Sequence, residues 1–392
     1  MQNTQDFYRI NRLPPYVFAE VNRMKLSLRQ QGQDVIDFGM GNPDSPTPKH
    51  ITDKLVETVA KPNTHGYSMS RGIPGLRKAL SSYYERRFNV DICPEEEAIV
   101  TIGSKEGLAS LAKAVTKPGD TVIVPSPAYP IHKFGFVIAD ANVYSIPNTP
   151  DDPDFIKHLE KAVNDCSPKP IALILNYPCN PTAQCVDLAF YEQVVDFCKF
   201  HNIYIWSDLA YCEIYFDGKP PPSVLQVKGA KDIAVEFTSV SKTYSMAGWR
   251  VGFAAGNKQL IGALTKIKSY LDYGIFTPVQ VAAATALNDS QKCVEDFRKL
   301  YKERRDILVN GLNKAGWKIE SPNASMFAWA KLPNKYKDMG SLEFSKMLIE
   351  KAGVAVAPGI GFGEHGEGYV RIALVENKQR IRQAVKSIAK IL

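Results

Sequence analysis

Short runs of four or five apolar residues recur through the middle of the chain, and longer stretches lie between them in which apolar side chains return every three or four positions. The short runs, at 98–102, 121–124, 171–175, 203–206, 234–238 and 251–255, have the length and β-branched content of buried strands. The stretches at 105–116, 188–201 and 259–269 have the period of helices. Strands that alternate with helices predict βαβ units and a mostly parallel sheet covered on both faces. After about residue 278 the pattern changes. Amphipathic stretches at 279–287 and 294–315 lead into short strands at 325–331, 354–357 and 369–374 and a final basic helix. This predicts a smaller α+β domain. The first 45 residues, with Pro14-Pro15 and the turn-forming Gly39, Gly41 and Pro43, read as an extended arm. The expected division is therefore 1–45 (arm and part of the small domain), 46–285 (large α/β domain) and 286–392 (small C-terminal domain).

Composition narrows the function without deciding it. At 392 residues, 45% apolar and 23% charged, the chain is that of a globular protein large enough for two cores. The net charge of +7 is spread thinly, with no Lys/Arg run that would form a nucleic-acid stripe. Seven cysteines are scattered, with no C-x-x-C pair and no zinc-ligand spacing, as expected of free thiols in a reducing cytoplasm. The N-terminus shows no signal-peptide core, and no apolar run approaches the ~20 residues of a membrane span.

Candidate chemistry collects where the strands end. Ligands of parallel sheets bind beyond the carboxyl ends of the strands. There the sequence places Gly103-Ser104-Lys105, Tyr129, Asn180, Asp208 with Tyr211, and Ser239-Val-Ser241-Lys242, followed by Arg250. Each alone has a plain structural use, as a turn or a helix cap. Together they match one molecule. A helix N-terminus with Ser104 and the fork of Arg250 suits a phosphate. Tyr129 suits a flat ring, Asp208 a protonated ring nitrogen, Asn180 and Tyr211 a phenolic oxygen, and Lys242 an aldehyde. Pyridoxal phosphate has all of these parts.

With these residues in view, the chain resembles the fold type I, class I/II pyridoxal-phosphate aminotransferases. The motifs are S-x-x-K with an arginine eight residues on (Ser239–Lys242, Arg250), N-P-T (Asn180-Pro181-Thr182), D-x-x-Y (Asp208–Tyr211), V-R-I (Val370-Arg371-Ile372) and Tyr67 in HGYSMSRGIPGLR. The resemblance implies an aspartate-aminotransferase-like fold and ping-pong exchange of an amino group between an amino acid and a 2-oxo acid. It implies Lys242 as the covalent base, Asp208 and Tyr211 as its catalytic partners, and Arg371 as the grip on the substrate α-carboxylate, with Asn180, Gly41 and Tyr16 nearby. Gly103, Ser104, Lys105, Tyr129, Asn180, Ser239, Ser241 and Arg250 would bind the cofactor. Tyr67 would reach the phosphate from a second subunit, which makes a homodimer the expected assembly. Ala183 departs from the glycine that often follows N-P-T, so a less tight turn is expected there. Stretches such as RLPPYVF, DFGMGNPD and NPTAQCV resemble the bacterial alanine (glutamate–pyruvate) transaminases. Enzymes acting on aspartate, methionine, aromatic amino acids or diaminopimelate share the cofactor motifs, as does a pyridoxal-phosphate β-lyase.

Two other motif readings are weaker. Ser239–Lys242 also fits the S-x-x-K of serine acyl enzymes, but the S-D-N and K-T-G partners are missing. Gly361-Phe-Gly363-Glu-His-Gly366 fits G-x-G-x-x-G, yet a strand follows it instead of a helix, so a flexible loop is expected. A regulator built on an aminotransferase-like domain would need a DNA-binding domain in front, for which the 45-residue arm leaves no room.

Overall fold

Every residue of Val122-Ile123-Val124 and Leu173-Ile174-Leu175 is buried, as suits strands covered on both faces. The computed structural model describes residues 7–149 and 154–392; the first six residues of the expected arm lie outside it. Its strands are β1 (Ile36–Asp37), β2 (Ala98–Thr101), β3 (Thr121–Ser126), β4 (Asn142–Pro147), β5 (Ala172–Asn176), β6 (Tyr204–Asp208), β7 (Ala234–Ser239), β8 (Gly252–Gly256), β9 (Phe327–Lys331), β10 (Val354–Ala355), β11 (Ala357–Pro358) and β12 (Tyr369–Ala373).

Seven of them form the central sheet in the order β2-β8-β7-β6-β5-β3-β4. β8 runs antiparallel to both neighbours, while the pairs among β7, β6, β5, β3 and β4 are parallel. The mostly parallel α/β expectation is thus borne out. The reversal of β8 has a consequence for the site: residues that precede β8, including Arg250, lie at the same edge as residues that follow the parallel strands. Helices such as Ser104–Val115, Leu188–Phe200 and Lys258–Leu271 bury their apolar sides against this sheet.

Strand β4 has no counterpart in the expected pattern. It is an edge strand, largely half-exposed, with polar Asn142 and Ser145 among its apolar residues, so it lacks the apolar run of a buried strand. The run at 354–357, expected as one strand, is two. Val354 pairs in parallel with Ile36, whereas Ala357 pairs antiparallel with Arg371, and the chain changes sheets at the buried Val356. A three-stranded antiparallel sheet, β11-β12-β9, and the β1-β10 pair make up the smaller unit. Its core includes Trp317, Phe344, Ile372 and Ile381. The helix Thr277–Asn288 packs its Ala282, Ala283, Ala286 and Leu287 into the core of the large sheet, so residues 286–288 lie on that side of the expected border.

The segment 359–366 is not a loose loop. It forms two 3₁₀ turns, Gly359–Phe362 and Glu364–Gly366. Phe362 O accepts from Ala128 N at 2.8 Å, and a Cβ on Gly359 would lie 1.9 Å from Gly366 O. The glycines serve close packing. Among the described residues no helix is long and apolar enough to cross a membrane.

Candidate active site

A cavity of about 360 Å³ lies between the carboxyl edge of the central sheet and the smaller unit. Its anion-binding end starts from glycine. Gly103 follows β2 at φ +79°, in the left-handed region that glycine adopts without strain, and opens the helix Ser104–Val115. No side chain caps that helix, which leaves its first N–H groups for a ligand. The Arg250 guanidinium passes so close that a Cβ on Gly103 would lie 2.2 Å from Nη2, and a Cβ on Gly252 would lie 2.5 Å from Ser104 N. Arg250, itself at φ +60°, is held by donation to Ala247 O (2.9 Å) and Ile102 O (3.4 Å). The hydroxyl of Ser104 donates to Thr238 O at 2.9 Å, so what Ser104 offers the cavity is its N–H. Ser239 caps the short helix Val240–Thr243 by accepting from Ser241 N, and it lies within donating distance of Val251 O. Ser241 also lines the cavity.

The carboxylate at the end of β6 has a partner that sequence reasoning missed. His132 Nε2 lies 2.9 Å from Asp208 Oδ2, with both side chains buried. Oδ1 accepts from Ala210 N at 3.3 Å. A lone histidine in the apolar helix Pro130–Ile138 was the only trace of this contact in the sequence. Tyr129, the residue before that helix, lines the cavity with its ring edge-on to His132. Burial raises the Tyr129 hydroxyl above its ordinary pKa.

Asn180 joins two parts of the site. Its Nδ2 donates to the Tyr211 hydroxyl at 3.4 Å, and its Oδ1 accepts from Arg371 Nη1 at 2.7 Å. Its backbone is fixed by donation to Asn176 Oδ1 at 2.8 Å. Ala183 makes the turn after this motif at φ +60°, a left-handed conformation that any residue with a Cβ adopts with strain. Tyr211 is buried, packs edge-on against Phe327, and is pushed above its ordinary pKa by that burial.

Lys242 and Arg371 meet neutral acceptors at the cavity. Lys242 Nζ donates to Gly41 O at 2.7 Å. Burial, then the charges of Arg371 and Arg250, lower its pKa from 10.5 to about 8. Arg371, on β12, donates from Nη2 to Gly39 O at 2.8 Å and lies over the rings of Phe327 and Phe362 at 4.1 and 4.7 Å. Its Nε is buried with no hydrogen-bond partner among the described residues, and burial lowers its pKa to about 10, which still leaves it charged at neutral pH. Gly41 must be small: a Cβ there would lie 2.6 Å from the Phe327 ring.

The structure thus brings Tyr16, Gly41, Gly103, Ser104, Lys105, Tyr129, Asn180, Asp208, Tyr211, Ser239, Ser241, Lys242, Arg250 and Arg371 to one cavity. It does not bring Tyr67 there. Tyr67 is 88% exposed and stacks on Tyr273, centroids 4.5 Å apart. An amine with a lowered pKa, a paired carboxylate, an anion cradle and a second, separate arginine equip the cavity for amine–carbonyl exchange on a carboxylic acid.

Comparison with known proteins agrees with this geometry. The family described as Aminotransferase class I and II matches residues 33–388. A Rhizobium meliloti protein bearing the aminotransferase name AatC is 59% identical over 388 residues, covering 99% of this chain and 96% of its own. The glutamate-pyruvate aminotransferase AlaC of Escherichia coli is 56% identical over 382 residues, covering 97% and 92%. Among solved structures, a single mutant of the Thermus thermophilus aspartate aminotransferase superposes with a TM-score of 0.91 at 29% identity, covering 98% of this chain and 99% of that one.

Proposed function

The chain belongs to the class I and II aminotransferases, and on that premise we propose that it is a pyridoxal-phosphate transaminase exchanging the amino group between alanine and 2-oxoglutarate. The chain's own residues support the cofactor. Glycine at 103 and 252 lets the Arg250 guanidinium and the Ser104 N–H approach closely at the cavity, a combination that suits a phosphate. Asp208 suits a protonated ring nitrogen, and Asn180 and Tyr211 suit a ring oxygen. When bound, pyridoxal phosphate supplies an aldehyde that joins an amino group and a ring that accepts the electron pair left when the Cα proton departs.

Arg371 binds the α-carboxylate as a fork, and Asn180 and Gly39 O keep that fork aimed. Lys242 Nζ is the base that takes and returns the Cα proton, and its lowered pKa leaves a useful neutral fraction near pH 7. Asp208 would hold a proton on the ring nitrogen, with His132 fixing the carboxylate, and Tyr129 would stack on the ring.

The substrate assignment rests on the apolar residues beside Arg371. Phe327, Ala357 and Phe362 suit a methyl side chain. The similarity to AlaC points the same way. A homodimer and a cytoplasmic location belong to the same reading. On this reading Tyr67, exposed and stacked on Tyr273, serves a second copy's phosphate site. The test is the visible absorbance of the holoenzyme. Bleaching by L-alanine and recovery with 2-oxoglutarate supports the assignment. Bleaching only by aspartate, methionine, an aromatic amino acid or diaminopimelate replaces alanine. Repeated turnover of a sulfur amino acid to pyruvate, ammonia and sulfide with no 2-oxo acid added replaces transamination with β-elimination.

A further inference from the structure

Asp37 does not line the cavity, yet it holds the segment on which Lys242 and Arg371 rest. Strand β1 ends at Asp37. Phe38 then bonds across to the smaller unit, donating to Ala355 O (2.8 Å) and accepting from Ala373 N (2.9 Å), before the chain turns through Gly39–Gly41 along the cavity. Gly39 O receives Arg371, and Gly41 O receives Lys242. The Asp37 side chain fixes the start of this turn, because Oδ1 accepts from Gly39 N at 2.9 Å. A Cβ on Gly39 would lie 3.3 Å from that same oxygen, so the contact is close enough to define the backbone.

The other carboxylate oxygen, Oδ2, pairs with Lys25 Nζ at 2.6 Å; the two side chains are only 17% and 10% exposed. Lys25 also donates to Asn22 Oδ1 at 3.0 Å. Both belong to the helix Phe18–Gln30, which sends Phe18, Val21 and Asn22 to the cavity wall. We infer that Asp37 is a positioning residue for substrate binding: it aims Arg371 at the substrate carboxylate through Gly39, and Lys25 ties that aim to the helix that walls the cavity. Lys25 has a second effect. It neutralises the Asp37 charge, so the segment that holds Arg371 adds no net negative charge beside the place where a carboxylate must dock.

This inference rests on Arg371 taking the substrate carboxylate, and the test separates the two. In Asp37→Ala the KM values for the amino acid and for the 2-oxo acid rise together by about tenfold, the equivalent of one lost hydrogen bond, while kcat changes less than about threefold. Asp37→Asn keeps an acceptor for Gly39 N–H and restores KM to within about threefold of wild type. Lys25→Met alone raises KM, and Lys25→Met with Asp37→Asn lowers it again. A second readout needs no turnover: calorimetric titration of each holoenzyme with propionate, a carboxylate without an amino group, follows the same order. If Asp37→Ala matches wild type in KM and propionate affinity while Arg371→Leu loses both, the positioning role falls and the role of Arg371 stands. If Arg371→Leu keeps its propionate affinity, the assignment of Arg371 and this inference fall together. A drop in kcat with unchanged KM, or Asn behaving no better than Ala, also overturns the inference.

Discussion

The lowered pKa of Lys242 can be read directly in the cofactor-free protein, before any substrate is involved. An amine captures an aldehyde only in its neutral form. A lysine of pKa 10.5 is neutral in about one molecule in 3000 at pH 7, and one of pKa about 8 in about one in ten, a gain of about 300-fold. The difference corresponds to at most about 3 kcal/mol against the ammonium, supplied first by burial and then by the charges of Arg371 and Arg250. The assay is the rate at which the visible band grows when pyridoxal phosphate is added to apoprotein across pH 6 to 10. Dividing by the rate for a simple alkyl amine removes the titration of pyridoxal phosphate itself. The normalised rate should be about 300 at low pH, begin to fall at about pH 8, and approach one only near 10.5. Arg371→Leu should move the midpoint upward, since it removes the larger of the two charge contributions. A normalised rate that is flat across the whole range would mean an ordinary lysine and would refute the reasoning.

Three further outcomes follow from single contacts. Gly103→Ala forces a Cβ into a left-handed backbone and to within 2.2 Å of Arg250 Nη2, and should raise the Kd for pyridoxal phosphate by at least about tenfold in an absorbance titration. His132→Phe removes the partner of a buried carboxylate and should lower kcat by about tenfold to a hundredfold, with the pH dependence of the visible spectrum displaced; an unchanged kcat and spectrum would deny His132 its role. Ala183→Gly relieves the strain at φ +60° and should stabilise the protein by about 0.5–1 kcal/mol in denaturant unfolding, without changing KM.

Most of the cofactor side was legible in the sequence because a parallel sheet gathers the residues after its strands at one edge. Ser104, Asn180, Asp208 and Lys242 each follow a short apolar run that is hard to mistake. Arg250 was legible only through its spacing from Lys242. That it precedes a strand and still reaches the same edge depends on the reversal of β8, which an apolar run cannot reveal. His132 and Asp37 were hidden for a different reason. Each acts through a partner far along the chain, Asp208 for one and, through Gly39, Arg371 for the other, and nothing local marks such a pairing. Tyr67 shows the limit from the other side: the resemblance assigns it to a second subunit's site, and in the single chain it is an exposed ring stacked on Tyr273.

The charges of the site explain why it should be built this way. Lys242 rests on Gly41 O, and Arg371 on Asn180 Oδ1 and Gly39 O, all neutral acceptors; among the described residues neither cation has a carboxylate partner within ion-pair distance. The nearest acid with a stated role, Asp208, is engaged by His132. A buried cation without a counter-charge destabilises the fold. For Lys242 the sign follows from its lowered pKa. Below about pH 8 the ammonium is present in both folded and unfolded chains and is disfavoured in the folded one. Between about pH 8 and 10.5 the unfolded chain binds the extra proton, so stability rises with pH across that window. An anionic occupant relieves the same strain at neutral pH, and whatever binds only the folded state stabilises it further by mass action. Carboxylates in place of the neutral acceptors would make the empty protein more stable, but they would hold Lys242 protonated and occupy Arg371, against the roles proposed for both.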